Sequence, residues 1–248
     1  MMARIRIRFA KLGKIRWTSH RDTARMWERA FRRIELPLAY TNGFSPRPKV
    51  SFGLALPTGY ESVAEYLDIE LADGSVDAVD VESLPTALSA ALPMGVDAVA
   101  AAAIEARAPS LQEDVTLCTW ECTVADPSGT PADVAVSLAE RAGELLAATE
   151  VVVTRQRKGT DVTDDIRPAI LSLRLLDETP EGVRLECDLA TQPRSLRPSE
   201  LVAALGPEFE PRHLRRLHQW IQRDGARWEP LGSRPAATDA PHALERVS

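Results

Sequence analysis

Apolar and charged residues alternate strictly near the start of the chain. In "RIRIRFA", Ile5, Ile7 and Phe9 fall on one side and Arg4, Arg6 and Arg8 on the other, the signature of a strand with one buried face. A polar loop, "KLGKIRWT", follows. The period then changes. In "SHRDTARMWERAFRRI", Thr23, Met26, Trp27, Ala30, Phe31 and Ile34 recur at helical spacing, and Arg21, Arg25, Arg29 and Arg32 run down another side. Ser19, with Asp22 three residues on, is the start signal. Two further alternating stretches, "VSFGLAL" and "AEYLDIELA", predict a strand pair joined across "PTGYESV". "DVESLPTALSAAL" predicts a helix and "GVDAVAAAAIEA" a last strand. The order β-α-β-β-α-β is the split-βαβ, ferredoxin-like arrangement.

A similar plan returns after "RAPSLQED". It comprises the strand "VTLCTWECTVA", the helix "ADVAVSLAERAGELLAA" opened by Pro131, the strand "EVVVTRQ", a charged loop "RKGTDVTDD", the strand pair "IRPAILSLRLLD" and "GVRLECDLA", and the helix "RPSELVAAL". "PRHLRRLHQWIQR" predicts a final amphipathic helix. "EPLGSRPAATDAPHALERVS" predicts a disordered tail. The expected fold class is therefore α+β: two ferredoxin-like, antiparallel-sheet halves in tandem, at residues 1–108 and 113–225, with a C-terminal helix and a tail at 229–248.

Composition narrows the class. The 248 residues are 44% apolar and 27% charged, the balance of a soluble globular protein. No apolar run approaches the ~20 residues of a membrane helix, and no secretory leader opens the chain, so a cytoplasmic protein with no membrane partner is expected. Cys118, Cys122 and Cys187 lie at strand-interior spacing and read as small core residues. No metal ligation is expected from them, or from the scattered His20, His213, His218 and His242.

Charge changes the picture further. The net charge of -6 divides into +10 over residues 1–50 (13 Lys plus Arg against 3 Asp plus Glu) and -16 over the rest. Such asymmetry favours a polyanionic partner for the basic end, unless the two halves neutralise each other. Arg4, Arg6 and Arg8 would lie mid-sheet, compensated by Asp68 and Glu70 or by an external polyanion. The helix stripe of Arg21, Arg25, Arg29 and Arg32, with Arg33 beside it, gives a second basic surface. Lys11, Lys14, Arg47 and Lys49 add loop cations, and these residues form the candidate nucleic-acid-binding set. In "TNGFSPRPKVSFG", Pro46 and Pro48 stiffen the segment that carries Arg47 and Lys49.

His20, in the first helical turn, is the candidate general acid or base for RNA cleavage, with Lys14 or Tyr40 assisting. The segment 156–168, with Lys158, Asp161, Asp164, Asp165 and Arg167, would hold a phosphate or magnesium ion, or form a salt-bridged loop. No Walker A, GxGxxG, HExxH, GxSxG or CxxxCxxC pattern occurs, and no cofactor is expected.

Three segments carry a resemblance: "RIRFAKLGKIRWTSHRD", "LAYTNGFSPRPKVSFGLALPTGYESVAEYLDIEL" and "RKGTDVTDDIRP". Over residues 2–71 and about 155–170 the chain resembles the radical-SAM-linked family, a domain of unknown function. Members of that family are fused to, or encoded beside, a B12-binding-type radical SAM protein. The resemblance implies a free-standing form with such a protein as partner. The family's neighbourhood of ribosomal-protein and RNase E/G-type genes implies a link to ribosomal or transfer RNA. It supplies no catalytic residues. The double ferredoxin-like plan also resembles CRISPR repeat-processing endoribonucleases, some of which carry a histidine on the first helix as His20 is here. Their glycine-rich loop in the second domain is missing. Three readings follow: an RNA-binding accessory module that is not itself an enzyme, a module docking an acidic face of the radical SAM partner, and a metal-independent endoribonuclease using His20.

Overall fold

Strand β1 (Arg4–Lys11) is buried along its Ile5, Ile7 and Phe9 face, as the alternation requires. The computed structural model describes residues 3–75, 78–157 and 159–232, with the side chains of residues 156 and 157 excepted. Helix α1 (His20–Arg33) starts at Ser19, whose Oγ accepts from the Asp22 backbone N–H at 3.1 Å and donates to the Asp22 carboxylate at 2.7 Å. This satisfies an N–H that a helix start leaves open. The predicted loop between them is wound into a 3₁₀ turn, Gly13–Trp17.

The chain divides into two compact units. The first holds residues up to 115 and takes back the chain from Trp228. Besides β1 and α1 it contains β2 (Val50–Phe52), β3 (Glu61–Glu70), α2 (Leu84–Ala91), β4 (Val96–Ile104) and the short α3 (Leu111–Asp114). The strand order is β4-β1-β3-β2, with every neighbouring pair antiparallel. Ile5, Ile7 and Phe9 pack with Leu67 and Ile69 of β3, Trp27, Ala30 and Phe31 of α1, and Leu84 and Leu88 of α2. The Phe9 and Trp27 rings meet edge to face at 4.9 Å. Strand β2 is shorter than "VSFGLAL" predicts: after Phe52↔Leu67 one more bond, from Gly53 N–H to the Tyr66 carbonyl at 2.9 Å, joins this segment to β3.

The second unit spans residues 116–227. It contains β5 (Leu117–Ala125), α4 (Pro131–Ala147), the hairpin β6 (Val152–Arg157) and β7 (Thr160–Asp165), then β8 (Ile170–Thr179), β9 (Gly182–Ala190), α5 (Pro198–Leu205), β10 (Glu210–Arg223) and β11 (Ala226–Trp228). Its sheet order is β10-β5-β9-β8, again antiparallel throughout, with β11 on β10. The three cysteines are buried free thiols. Cys187 is held well above its usual pKa by a hydrogen bond with Cys122 and by burial.

Four expectations are corrected. "PRHLRRLHQWIQR" is not a helix but most of β10, a strand of 14 residues. Register shifts at Pro211/His213 and Arg216/His218 break its alternation, so its apolar residues mimic helical spacing. The "RKGTDVTDD" loop is instead largely β7, paired with β6 from Val152↔Asp165 to Arg157↔Thr160. The "IRPAILSLRLLD" strand begins later, at Ile170, after a 3₁₀ turn at Arg167–Ala169. Of the tail expected at 229–248, Glu229 and Pro230 bond to β1; residues 233–248 lie outside the described residues.

Candidate nucleic-acid interface

The three β1 arginines are held by groups of their own unit. Arg6 is 3% exposed, and its Nε and Nη2 donate to the Asp68 carboxylate at 2.7 and 2.9 Å. Its Nη1 donates to the Pro230 carbonyl at 3.1 Å. Arg4 donates to Asp68 at 3.0 Å and to the Ala108 carbonyl at 2.8 Å. Arg8 pairs with Glu229 at 2.9 Å and reaches the Val63 carbonyl at 3.2 Å. Of the compensations open to these arginines, the internal one operates: Asp68 takes two of them, while Glu70 pairs with Lys49 at 2.8 Å.

The helix and the proline loop converge. A cleft of about 480 Å³ is lined by Arg21, Arg25, Glu28 and Arg32 of α1 on one side and by Tyr40, Pro46, Arg47 and Pro48 on the other. The α1 residues come together because they lie at helical spacing on one face. The loop is closed at its base: Tyr40 bridges Pro48, Thr41 N–H donates to the Arg47 carbonyl at 2.9 Å, and Arg47 N–H donates to Thr41 Oγ1 at 3.1 Å. At its tip Gly43 has φ +132, a backbone conformation that strains other residues. "TNGFSPRPK" is therefore both a rigid connector and one wall of the cleft.

Charge inside the cleft is one-sided, four arginines to one glutamate. Arg25 has a 3.5 Å contact with Asp22, both half exposed, which contributes little. Arg32 Nε donates to the Glu28 carbonyl at 3.2 Å, which leaves its charge uncompensated. Arg21 and Arg47 are exposed, and neither side chain has a bonding partner among the described residues. Arg29 is exposed on the neighbouring helix face, and Arg33 reaches the Ala91 carbonyl at 3.4 Å.

The remaining candidates lie elsewhere. Lys14 is exposed on the 3₁₀ turn. Lys11 is buried and donates to the Thr18 carbonyl at 2.9 Å; burial lowers its pKa, and the nearby Glu65 charge opposes the shift. His20 meets Phe52 edge to face at 5.1 Å. It lines, with Lys11, Thr23 and Glu65, a pocket of only about 20 Å³, room for about one water. In the second unit, Asp165 accepts from the Val151 and Arg167 backbone N–H groups at 2.8 and 3.0 Å. Arg167 donates to the Ile170 and Leu146 carbonyls. Asp164 is bound by Arg155 at 2.9 Å and Arg194 at 3.1 Å, and the Arg155 hydrogen bond lowers its pKa. Lys158 lies outside the described residues. Among the described residues no group of three or more His, Cys, Asp or Glu is placed to hold a metal ion, and no helix is long and apolar enough to cross a membrane.

Sequence reasoning passed over Phe44. Its ring sits at the loop tip, fully exposed, and Tyr40 nearby is half exposed. The signal was present: a phenylalanine inside a Gly/Pro loop, outside any strand or helix period.

An antiparallel α+β protein with an arginine-walled cleft on its first unit is the class these features define. The chain belongs to the DUF2344 family, described as "Uncharacterized protein conserved in bacteria", which matches residues 4–198. No curated protein matches it. Among solved structures it is similar to the "Crystal Structure of a Cbf5-Nop10-Gar1 Complex", at 11% identity and a TM-score of 0.48. That match covers 87% of this chain, which spans only 48% of the matched chain.

Proposed function

We propose that this protein is a non-catalytic RNA-binding accessory module of the cytoplasm, working with a radical SAM enzyme in RNA or ribosome-related modification. The observation that carries the reading is the cleft with four arginines and one glutamate, in which Arg21 and Arg47 are exposed without partners. Uncompensated arginines attract phosphates, and where the loop backbone is already held by hydrogen bonds only the side chains have to be ordered on binding. The β1 arginines drop out of this interface because their hydrogen bonds are already used. The radical SAM partner rests on the family resemblance in "RIRFAKLGKIRWTSHRD" and its companion segments. The same reading takes each unit as ferredoxin-like; its support is the repeated order, β4-β1-β3-β2 and β10-β5-β9-β8.

The test is RNA binding as a function of salt, with wild type and an Arg21→Glu/Arg47→Glu variant. Wild type binds at micromolar concentration or tighter, with a steep salt slope. The variant keeps its melting temperature and loses both affinity and slope, by about 0.7 per lost phosphate contact on a single strand. Equal binding by both proteins overturns the assignment of the cleft. Copurification of a radical SAM protein that survives nuclease treatment tests the partner.

A further inference from the structure

We infer that the cleft takes single-stranded RNA, with unpaired bases stacked on Phe44 and Tyr40 while the arginines hold the phosphates. The inference rests on the RNA-binding reading above and names the form of RNA. Phe44 carries it. Its ring is fully exposed, makes no ring or hydrogen-bond contact among the described residues, and contributes nothing to the core of its unit. An apolar ring in that position loses by contact with water and stabilises nothing in the fold. The backbone beneath it is nonetheless fixed, by the Tyr40–Pro48 bridge, the Thr41–Arg47 hydrogen bonds and two prolines. A ring held out on a stiffened loop is a preorganised contact surface.

Phe44 does not itself line the cleft; it lies on the loop between Tyr40 and Arg47, which do. Tyr40, half exposed, lines the cleft together with Arg21, Arg25 and Arg47. Flat aromatic faces beside guanidinium groups match a chain that alternates base and phosphate. An RNA duplex offers phosphates, but its base faces are stacked inside, so it would use the arginines and leave Phe44 in water. An acidic peptide offers carboxylates without a matching series of planar rings. The cleft, at about 480 Å³, falls in the range that encloses small ligands and so accommodates a nucleotide rather than a helix.

The experiment compares a mixed-sequence single-stranded RNA with a blunt, loop-free RNA duplex carrying the same number of phosphates, with polyglutamate as competitor. The proteins are wild type, Phe44→Ala, Phe44→Trp and Tyr40→Ala. Phe44 lies outside the core, so its replacement leaves the fold intact, and a melting curve checks this. Wild type is expected to prefer the single strand. Phe44→Ala is expected to weaken single-strand binding by roughly 5- to 100-fold, leaving duplex binding nearly unchanged. Phe44→Trp should keep the affinity, and its new indole fluorescence should be quenched on binding. Equal binding of both RNAs with no effect of Phe44→Ala overturns the inference and leaves the RNA-binding reading standing. Failure to bind either RNA at low salt overturns both. Displacement of RNA by polyglutamate at equal charge concentration overturns the inference in favour of an acidic protein partner.

Discussion

Arg6 and Asp68 face each other across β1 and β3 in a bidentate ion pair, Nε to Oδ1 at 2.7 Å and Nη2 to Oδ2 at 2.9 Å, with both residues 3% exposed. Removing one partner of such a pair strands a buried charge, at a cost of about 3–5 kcal/mol. Asp68→Ala is therefore expected to lower unfolding free energy by that amount in urea titration. Arg6→Met combined with Asp68→Leu should recover much of it. A loss below about 1 kcal/mol in Asp68→Ala would show that the pair is not desolvated in solution.

The same pairing separates two kinds of arginine. Reversing Arg4, Arg6 and Arg8 to Glu sets three new carboxylates against Asp68 and Glu229, so the expected outcome is an unfolded protein by circular dichroism. Reversing exposed Arg21 and Arg47 should leave the melting curve within the ordinary range for surface changes. A folded triple variant would mean that the β1 arginines are more loosely held than their distances state.

How far the sequence speaks depends on whether the local period survives in the fold. β1 keeps its register against β3 from Arg4 to Phe9, with a shift only after Phe9, so Ile5, Ile7 and Phe9 declare the core and Arg4, Arg6 and Arg8 the charged face. What alternation cannot supply is whether a charge is already answered. Asp68 alternates like any outward acid, and its double pairing depends on register, while Glu229 and Pro230 come from a segment read as tail. β10 reads as a helix because two register shifts break its period, and Leu214, Leu217 and Ile221 then fall at helical intervals. The cleft was half legible: the α1 stripe is a helical pattern, whereas its approach to Tyr40 and Arg47 is a tertiary fact.

Gly95 precedes β4 with φ +90, and its carbonyl accepts from Leu12 N–H at 2.8 Å. A Cβ there would lie 2.5 Å from the Leu12 carbonyl oxygen and 3.0 Å from Ile15 Cγ2. Gly95→Ala is expected to cost about 1–3 kcal/mol through left-handed strain and this collision. Gly74→Ala, also at positive φ but with open space around it, should cost less. Equal losses in the two variants, measured by thermal denaturation, would leave backbone strain alone as the cause.

Lys11 gives the protein a pH signature. Burial lowers its pKa below 10.5, against the opposing pull of Glu65. Between the lowered folded value and 10.5, the unfolded chain binds more protons at this site than the folded one. Stability contributed by this group therefore rises with pH through that window, because the buried ammonium loses its charge. Below the window both states are protonated and the full desolvation penalty stands; above 10.5 both are neutral and it is gone. Lys11→Met removes the titration, so the stability of wild type relative to the variant should climb as pH approaches 10.5. Tyr66, whose pKa burial raises above 10.0, acts in the opposite sense from 10.0 upward and so overlaps this window, but it is present in both proteins and cancels in the difference. Paired melting curves at a series of alkaline pH values give the measurement. A difference that stays flat or falls with pH would mean that Lys11 keeps its proton as readily in the folded state as in water.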